Sequence, residues 1–265
     1  MKNIAKEIRA LTIECIASIG QGHIGGSLSI VDALTVLYYK HMNVDPQNPK
    51  KEGRDRLVVS KGHAGPGVYA TLAHKGYFPK EELYTLNKYG TNLPSHCDMN
   101  KTPGVDMTAG SLGQGLSCAC GMALGSKLSN DGAYIYCIIG DGESQEGQIW
   151  EASMFAAHAK LDNLIVMLDN NKLQLSGYTE DVLSLIEPAK KWESFGFFVQ
   201  SIDGNDIDAV DAAITLAKQT KGKPSMIVLN TIKGKGFSYS ETAGTKNHSM
   251  PITQEHVELA KKELK

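Results

Sequence analysis

The 265-residue chain lacks several features that would assign it to a class of protein at once. No apolar run approaches the roughly 20 residues that a membrane-spanning helix requires. The formal net charge is only −2 and no basic stripe is present, so we expect neither a nucleic-acid nor a membrane partner. Internal repeats and low-complexity linkers are also absent. The length and composition indicate one soluble, cytoplasmic domain with a sizeable core, covering residues 1–265.

The five cysteines provide neither a disulfide framework nor a zinc site. Their number is odd, and no Cys-x-x-Cys spacing occurs. Those in apolar stretches are expected to be reduced core residues: Cys15, Cys118, Cys120 and Cys137. Cys97 follows His96 in a predicted loop, and two adjacent residues are a poor start for a metal site.

Helical and extended patterns alternate along almost the whole chain. Apolar residues at helical spacing predict an amphipathic helix over 3–19, and Ser29-Ile30-Val31-Asp32 resembles the capping box of a second helix that ends near His41. Further helices are predicted at 64–75, 80–89, 112–128, 146–160, 187–195, 206–219 and 254–264, strands at 57–60, 134–139, 164–169, 197–202 and 225–231, and a loop at 234–250. This alternation predicts an α/β fold with a doubly wound, mostly parallel sheet flanked by helices.

Two polar turns follow neighbouring predicted strands. Gly140-Asp141-Gly142 comes after one apolar run, and Asn170-Asn171 comes after the next, with 27 residues between the two motifs. In an open α/β sheet, ligands bind where such strands end. A carboxylate, an amide carbonyl and glycine-exposed backbone amides can together hold a hard divalent cation and a diphosphate. A lone Gly-Asp-Gly mostly makes a turn, but the pair resembles the signature of thiamin-diphosphate enzymes.

Three further segments contain glycines beside a histidine or at the start of a predicted helix. Residues 20–27 contain four glycines and His23, which is more glycine than an interhelical turn requires. His63 stands just beyond a predicted strand, where a lone histidine could also be structural. Residues 108–115 open a helix of small residues, whose first amides could bind a phosphate. The small residues of that helix also suit tight packing.

Taken together, these segments resemble the motifs of transketolases, in the same order. The matches are Gly-His-Ile-Gly-Gly at 22–26, Ser-Lys-Gly-His-Ala at 60–64, Gly-Ser-Leu-Gly-Gln-Gly at 110–115, Gly-Asp-Gly-Glu-Ser-Gln-Glu-Gly at 140–147 and Asp-Asn-Asn-Lys-Leu-Gln at 169–174. The resemblance covers essentially the whole chain, whereas a full-length transketolase is more than twice as long. The chain is therefore similar to the N-terminal, diphosphate-binding subunit of a split transketolase.

This resemblance implies thiamin diphosphate and Mg²⁺ as cofactors, with Ca²⁺ or Mn²⁺ able to replace Mg²⁺. The family's cation ligands match the side chains of Asp141 and Asn171 and the backbone carbonyl of Leu173. Its diphosphate-binding amides match Gly110 and Gly142, and its ring contacts match two leucines. The full set of positions that match cofactor contacts is His63, Gly110, Leu112, Gly142, Asn171, Leu175 and His248.

The resemblance also implies a catalytic set of four histidines. They are His23, His63, His96 and His248, which would converge on the reactive ring of the cofactor and the first carbons of the sugar. Imidazoles suit this role because they move protons near neutral pH. The loop around His96 is shorter than in the family, and His248 lacks the following glycine. The other histidines match no motif and are expected to be ordinary: His41, His74, His158 and His256.

The implied reaction is the transfer of a two-carbon ketol unit from a ketose phosphate to an aldose. The implied partner is the C-terminal, pyrimidine-binding subunit, in an assembly with two chains of each kind. Glu146 matches an interface glutamate of the family, although a carboxylate in the first turn of a helix also complements the helix dipole. The sequence does not identify the sugars.

Three other interpretations stay open at this point. The chain could be part of another thiamin-dependent enzyme, such as one similar to deoxyxylulose-phosphate synthase. It could instead be a non-catalytic thiamin-diphosphate-binding module, although simple binding would not require four histidines. A nucleotide-binding Rossmann domain has little support, because no Gly-x-Gly-x-x-Gly follows the first strand.

Overall fold

The computed structural model describes all 265 residues, and its centre is a five-stranded parallel sheet. The strands are β1 (Arg56–Val59), β2 (Ile135–Gly140), β3 (Leu164–Asn170), β4 (Phe198–Asp203) and β5 (Ser225–Asn230). Their order across the sheet is β1-β2-β3-β5-β4, and every neighbouring pair is parallel. The central strands are buried on both faces, which explains why they read as continuous apolar runs.

Helices cover both faces of this sheet. The α-helices are α1 (Lys2–Ala17), α2 (Ile24–Leu28), α3 (Val31–Val36), α4 (Gly65–Lys75), α5 (Gln114–Ser129), α6 (Gly147–His158), α7 (Thr179–Leu183), α8 (Pro188–Ser194), α9 (Ile207–Gln219), α10 (Ser238–Glu241) and α11 (Gln254–Glu263). One core lies under α1, α3, α4 and α9, and a second lies under α5, α6 and α8. Alternate residues of β2 serve the two cores, with Ile138 on one face and Ile139 on the other. The predicted α/β fold is confirmed.

None of the helices combines the length and the apolar character that crossing a membrane requires.

The parallel register brings the ends of four strands to one edge of the sheet. Gly140 at the end of β2 lies opposite Asp169 in β3, and Asn170 lies opposite Asn230 at the end of β5. Lys61 follows β1 by two residues and bonds to Asp169 across this edge. The polar turns that follow these strands therefore lie next to one another, as expected for a ligand site in an α/β sheet.

Several local predictions were wrong. The second helix begins near Ser29 and ends at His41 as predicted, as α3 followed by a π-helix over Leu37–His41, but its N-cap residue is Ile30 and no side chain caps it. The Ser29 hydroxyl instead donates to the distant carboxylate of Asp169 at 2.7 Å. Asp32 forms a buried ion pair with Arg9, with Nη2 and Oδ2 2.5 Å apart. In both cases a tertiary contact replaces the expected local bond.

Other differences concern the type and the ends of elements. The helix expected at 80–89 is a 3-10 helix over Lys80–Thr85. The loop expected at 234–250 contains α10 and a 3-10 helix over Gly244–His248. Glu146 lies just before α6 rather than in its first turn, because the helix begins at Gly147. Cys97 is buried and Cys118 is only half-buried.

Two helical glycines allow a test of the packing of α4. A Cβ atom at Gly67 would lie 2.7 Å from the backbone oxygen of Ser27, so α2 and α4 approach too closely for alanine. We expect Gly67→Ala to lower the free energy of unfolding by about 1–3 kcal/mol. The control is Gly121→Ala on the exposed side of α5, where no atom lies within 4 Å and alanine should stabilise the helix by up to about 1 kcal/mol. Urea unfolding of both variants measures this, and equal effects would contradict the packing argument.

Candidate active site

A cavity of about 360 Å³ opens at the carboxyl ends of β1, β2 and β3. Every residue that the sequence assigned to the site lines it: His23, His63, His96, Gly110, Leu112, Asp141, Gly142, Asn171, Leu173, Leu175 and His248. None of the other four histidines does so. The structure thus brings together segments that are more than 200 residues apart in the chain.

Four imidazole rings form one cluster around His23. The centroid of the His23 ring lies 5.5 Å from that of His63, 5.4 Å from that of His96 and 5.3 Å from that of His248. A short antiparallel pairing of Gln21–Gly22 with Met250–Pro251 holds the two ends of this cluster side by side. The predicted convergence of the histidines is therefore present, including the two whose surroundings depart from the family pattern.

Burial keeps these imidazoles neutral. It lowers the pKa of His23 and of His96, and it lowers that of His63 well below the ordinary value. The pKa of His248 falls to about 4, mainly through burial and further through the nearby charge of Lys233. His248 Nδ1 is buried without a hydrogen-bond partner. A neutral imidazole offers one donor and one acceptor, so the cluster can both give and accept hydrogen bonds at neutral pH.

The expected cation ligands occupy two adjoining turns. Asp141 accepts the backbone N–H of Gly142 at 2.7 Å and that of Lys172 at 2.5 Å. Asn171 Oδ1 accepts the backbone N–H of Leu173 at 3.1 Å. Burial, together with the negative charge of Asp169, raises the pKa of Asp141 to about 6. An ionised Asp141 is therefore unfavourable in this site unless a positive charge lies beside it.

Lys233 supplies such a charge, and sequence reasoning missed it. Its side chain is buried, and its Nζ donates to the carbonyl of Leu173 at 2.7 Å. Burial lowers the pKa of Lys233 to about 8, while the carboxylate of Asp141 opposes that shift. The available signal was its place in the glycine-rich turn directly after β5, the same strand edge as the other motifs. Lys61, also missed, lines the cavity from within a recognised motif.

Glu143 connects three of the glycine motifs through hydrogen bonds to its carboxylate. Its buried carboxylate accepts the hydroxyl of Ser60 and the backbone N–H groups of Gly113 and Gly140, both at 2.9 Å. Gly113 has φ +88°, a conformation that suits glycine, and a Cβ atom at Gly115 would lie 2.5 Å from Ser60 Oγ. Glycine is thus required at both positions, because the segments that carry them approach each other closely around the Glu143 carboxylate.

Comparison with known proteins decides the family. The model described as "Transketolase, thiamine diphosphate binding domain" matches residues 1–265. The chain belongs to this transketolase family. It is 54% identical over 264 residues to the 6-deoxy-6-sulfo-D-fructose transketolase subunit SqwG of Clostridium sp. (strain MSTE9), covering 100% of this chain and 96% of that one. It is 44% identical over 244 residues to an apulose-4-phosphate transketolase subunit of Actinobacillus succinogenes, covering 92% and 88%.

Solved transketolases share the fold. A transketolase of Pichia stipitis, in complex with sedoheptulose 7-phosphate, superposes with a TM-score of 0.92 at 30% identity, covering 99% of this chain and 40% of that one. The transketolase of Campylobacter jejuni gives a TM-score of 0.92 at 32% identity, covering 99% and 42%. The chain thus spans about two fifths of the solved transketolases but nearly the full length of the subunits named above. The prediction of an N-terminal transketolase subunit is confirmed.

The histidine cluster predicts a pH dependence of stability. The pKa of each of the four imidazoles is lower in the folded chain than its ordinary value of 6.5, so unfolding takes up protons below pH 6.5. Their contribution to stability is complete above pH 6.5 and is lost as the pH falls toward the folded-state pKa, which is about 4 for His248. We expect His248→Gln to reduce the loss of unfolding free energy between pH 7 and pH 4 by roughly 1 kcal/mol, a value that allows for solvent screening of the ring.

The matched control is His158→Gln, which replaces an exposed histidine at the end of α6. Asp141 acts in the opposite direction, since its raised pKa stabilises the fold at low pH and that contribution is lost as the pH rises through about 6. It is present in all three proteins and cancels in the comparison. Identical pH profiles for His248→Gln and the wild type would show that the cluster is not kept neutral by the fold.

Proposed function

We propose that this chain is the diphosphate- and cation-binding subunit of a split transketolase that transfers a two-carbon ketol unit from a ketose to an aldose phosphate. The observation that carries the proposal is the convergence of four neutral imidazoles beside the turns of Asp141 and Asn171. A binding module would need those turns but not the cluster. The subunit relatives, both named for transketolases, favour this activity over that of another thiamin-dependent enzyme.

The residues present fit Mg²⁺ and a diphosphate. The oxygens of Asp141, Asn171 and Leu173 are the hard ligands that Mg²⁺ prefers, and the ammonium of Lys233 already lies against the Leu173 carbonyl as a stand-in cation. Gly142 has no room for a side chain, because its Cβ would lie 2.8 Å from that of Gln174.

Backbone amides and leucines complete the proposed cofactor contacts. The N–H of Gly142 donates to Asp141 in this structure, so a carboxylate turned toward Mg²⁺ would free it for the diphosphate. Gly110, which also lines the cavity, would present its amide to the diphosphate. Leu112 and Leu175 are exposed at the rim, where they would pack against the cofactor rings.

Thiamin diphosphate, when bound, supplies an electron sink for breaking the bond between C2 and C3 of a ketose. The residues of this chain would orient the sugar and handle its protons. His96 would contact the terminal hydroxyl of the donor, and His23, His63 and His248 would bind its neighbouring oxygens. Because burial lowers the pKa of His248 to about 4, an imidazole that has taken a proton would return it readily.

A second polypeptide would complete the site. Two glutamates line the cavity. Glu143 already accepts hydrogen bonds from backbone amides, and Glu146 is exposed to solvent beside α6. We propose that neither glutamate contacts the aminopyrimidine ring. As partner we propose the C-terminal, pyrimidine-binding subunit, with two chains of each kind in the assembly and a cytoplasmic location. Four exposed apolar side chains that do not line the cavity would provide a surface for it: Tyr178, Val182, Leu183 and Ile186.

The relatives narrow the choice of donor sugar. The relative at 54% identity over the whole chain is named for 6-deoxy-6-sulfo-D-fructose, whereas that at 44% is named for apulose 4-phosphate. We therefore propose a ketose with a C6 sulfonate as donor. The histidines of this cavity would bind the carbonyl end of the sugar, so the sulfonate would be bound mainly by the partner.

The donor is tested by reconstitution. The chain is mixed with the product of a neighbouring reading frame that resembles the second half of transketolase, and the kcat/KM is measured for three donors. We expect 6-deoxy-6-sulfofructose to exceed fructose 6-phosphate and apulose 4-phosphate by at least about tenfold, since a site built for one anionic group discriminates against another. A preference for either phosphate would overturn the sulfonate assignment but not ketol transfer. Turnover of none would contradict the proposed function.

Asp141→Ala tests the cation site. Removing a charged oxygen ligand should weaken Mg²⁺-dependent binding of thiamin diphosphate by at least about a hundredfold while the circular dichroism spectrum is unchanged. Calorimetry at limiting Mg²⁺ measures it. Asp208→Ala, which removes a highly exposed carboxylate on α9, is the control and should bind like the wild type. Unchanged cofactor binding by Asp141→Ala would show that the cation is held elsewhere.

A further inference from the structure

Asp169 is a fully buried carboxylate that has no part in the chemistry proposed above. It lies in β3 immediately before the Asn170-Asn171 turn and does not line the cavity. Its Oδ2 accepts Lys61 Nζ at 2.6 Å, Ser29 Oγ at 2.7 Å and Asn171 Nδ2 at 2.9 Å. Its Oδ1 accepts the hydroxyl of Thr231. One carboxylate thus joins the ends of β1, β3 and β5 to the turn between α2 and α3.

The hydrogen bond between Asn171 and Asp169 determines which atom of the Asn171 amide faces Asp169. An ionised carboxylate can only accept hydrogen bonds, so the amide of Asn171 must turn its Nδ2 toward Asp169. Its Oδ1 is then fixed on the other side, where it accepts the Leu173 N–H at 3.1 Å. If the amide flipped, two oxygens would face each other at about the same separation. The orientation of this amide is therefore dictated by its neighbour.

Lys61 keeps that neighbour ionised. The ammonium of Lys61 lies 2.6 Å from Asp169 Oδ2, and the hydroxyls of Ser29 and Thr231 also donate to this carboxylate. The Lys61 side chain is itself only 2% exposed, so water does not screen the pair. Paired with Lys61, the carboxylate accepts the hydrogen bond from Asn171.

We infer that Asp169 is a positioning residue that orients the Asn171 amide so that its oxygen, rather than its nitrogen, faces a divalent cation. This inference rests on the cation site in the proposed function. Asp169, the first residue of the Asp-Asn-Asn motif, thereby has a role that follows neither from its burial alone nor from its ion pair alone. Such partners of metal ligands commonly affect affinity strongly when removed.

The test is a cycle of two substitutions, read out by Mn²⁺ binding. Electron paramagnetic resonance measures free Mn²⁺ in titrations of the chain reconstituted with its C-terminal subunit, with excess thiamin diphosphate. Asp169→Asn allows the Asn171 amide to flip, and Asn171→Asp places two carboxylates against each other, so each should weaken Mn²⁺ binding by roughly 10–100-fold. The double variant restores one donor and one acceptor across this contact and directs a carboxylate oxygen to the cation. We expect it to bind Mn²⁺ within a few-fold of the wild type or more tightly.

Ser29→Ala and Thr231→Val are the controls, because each removes another hydrogen bond to the same carboxylate without touching Asn171. They should lower the thermal midpoint but leave Mn²⁺ affinity unchanged when all titrations are made below the unfolding transition. If either control weakens Mn²⁺ binding as much as Asp169→Asn does, the role of Asp169 is structural and the inference is wrong. Wild-type affinity in Asp169→Asn would also overturn it.

Two further outcomes separate this inference from the proposed function. If Asp169→Asn does not fold, the comparison of the double variant with Asn171→Asp alone carries the test, since the double variant conserves the formal charge beside Lys61. Failure of the double variant to regain Mn²⁺ affinity would then overturn the inference. A wild-type reconstituted complex that binds no Mn²⁺ with thiamin diphosphate would overturn the cation site itself, and the inference with it.

Discussion

A buried ion pair between Lys61 and Asp169 joins the ends of two parallel strands, and the site is built around it. Lys61 Nζ also donates to the carbonyl of Gly26 at 2.7 Å, so the pair connects β1, β3 and the glycine-rich segment that carries His23. Removing one partner of such a pair leaves an uncompensated buried charge, which typically costs about 3–5 kcal/mol. The geometry of the sheet edge therefore depends on both residues being present and charged.

Charge balance explains why a cation and a diphosphate would bind together. Three buried carboxylates surround the floor of the cavity, from Asp141, Glu143 and Asp169, and two buried ammonium groups oppose them, from Lys61 and Lys233. The neutral histidine cluster adds no positive charge. A diphosphate alone would be repelled by the carboxylate of Asp141, whereas a divalent cation held by Asp141 would offset that negative charge. The same cation would release Lys233 from the Leu173 carbonyl.

The strand-end turns were predictable because the strands that precede them are buried on both faces and therefore read as unbroken apolar runs. The convergence of His23 with His248 was not, since a two-residue strand pairing between distant segments creates it. Only the family resemblance brought the four histidines together. Lys233 was missed because a lysine in a glycine-rich turn usually faces solvent. The prediction that Ser29 caps a helix was wrong because its hydroxyl bonds to Asp169, 140 positions away, and a local sequence pattern does not predict such a distant contact.

We propose that this chain provides the part of an active site that binds the diphosphate and the cation and transfers protons, and that a second polypeptide provides the rest. The decisive experiment is a ketol-transfer assay of the purified chain, with saturating thiamin diphosphate and Mg²⁺ and with partner contamination excluded. We expect no turnover by the chain alone and the appearance of activity on titration with the C-terminal subunit, saturating at one partner per chain. Robust turnover by the chain alone would show that its activity does not depend on a second polypeptide.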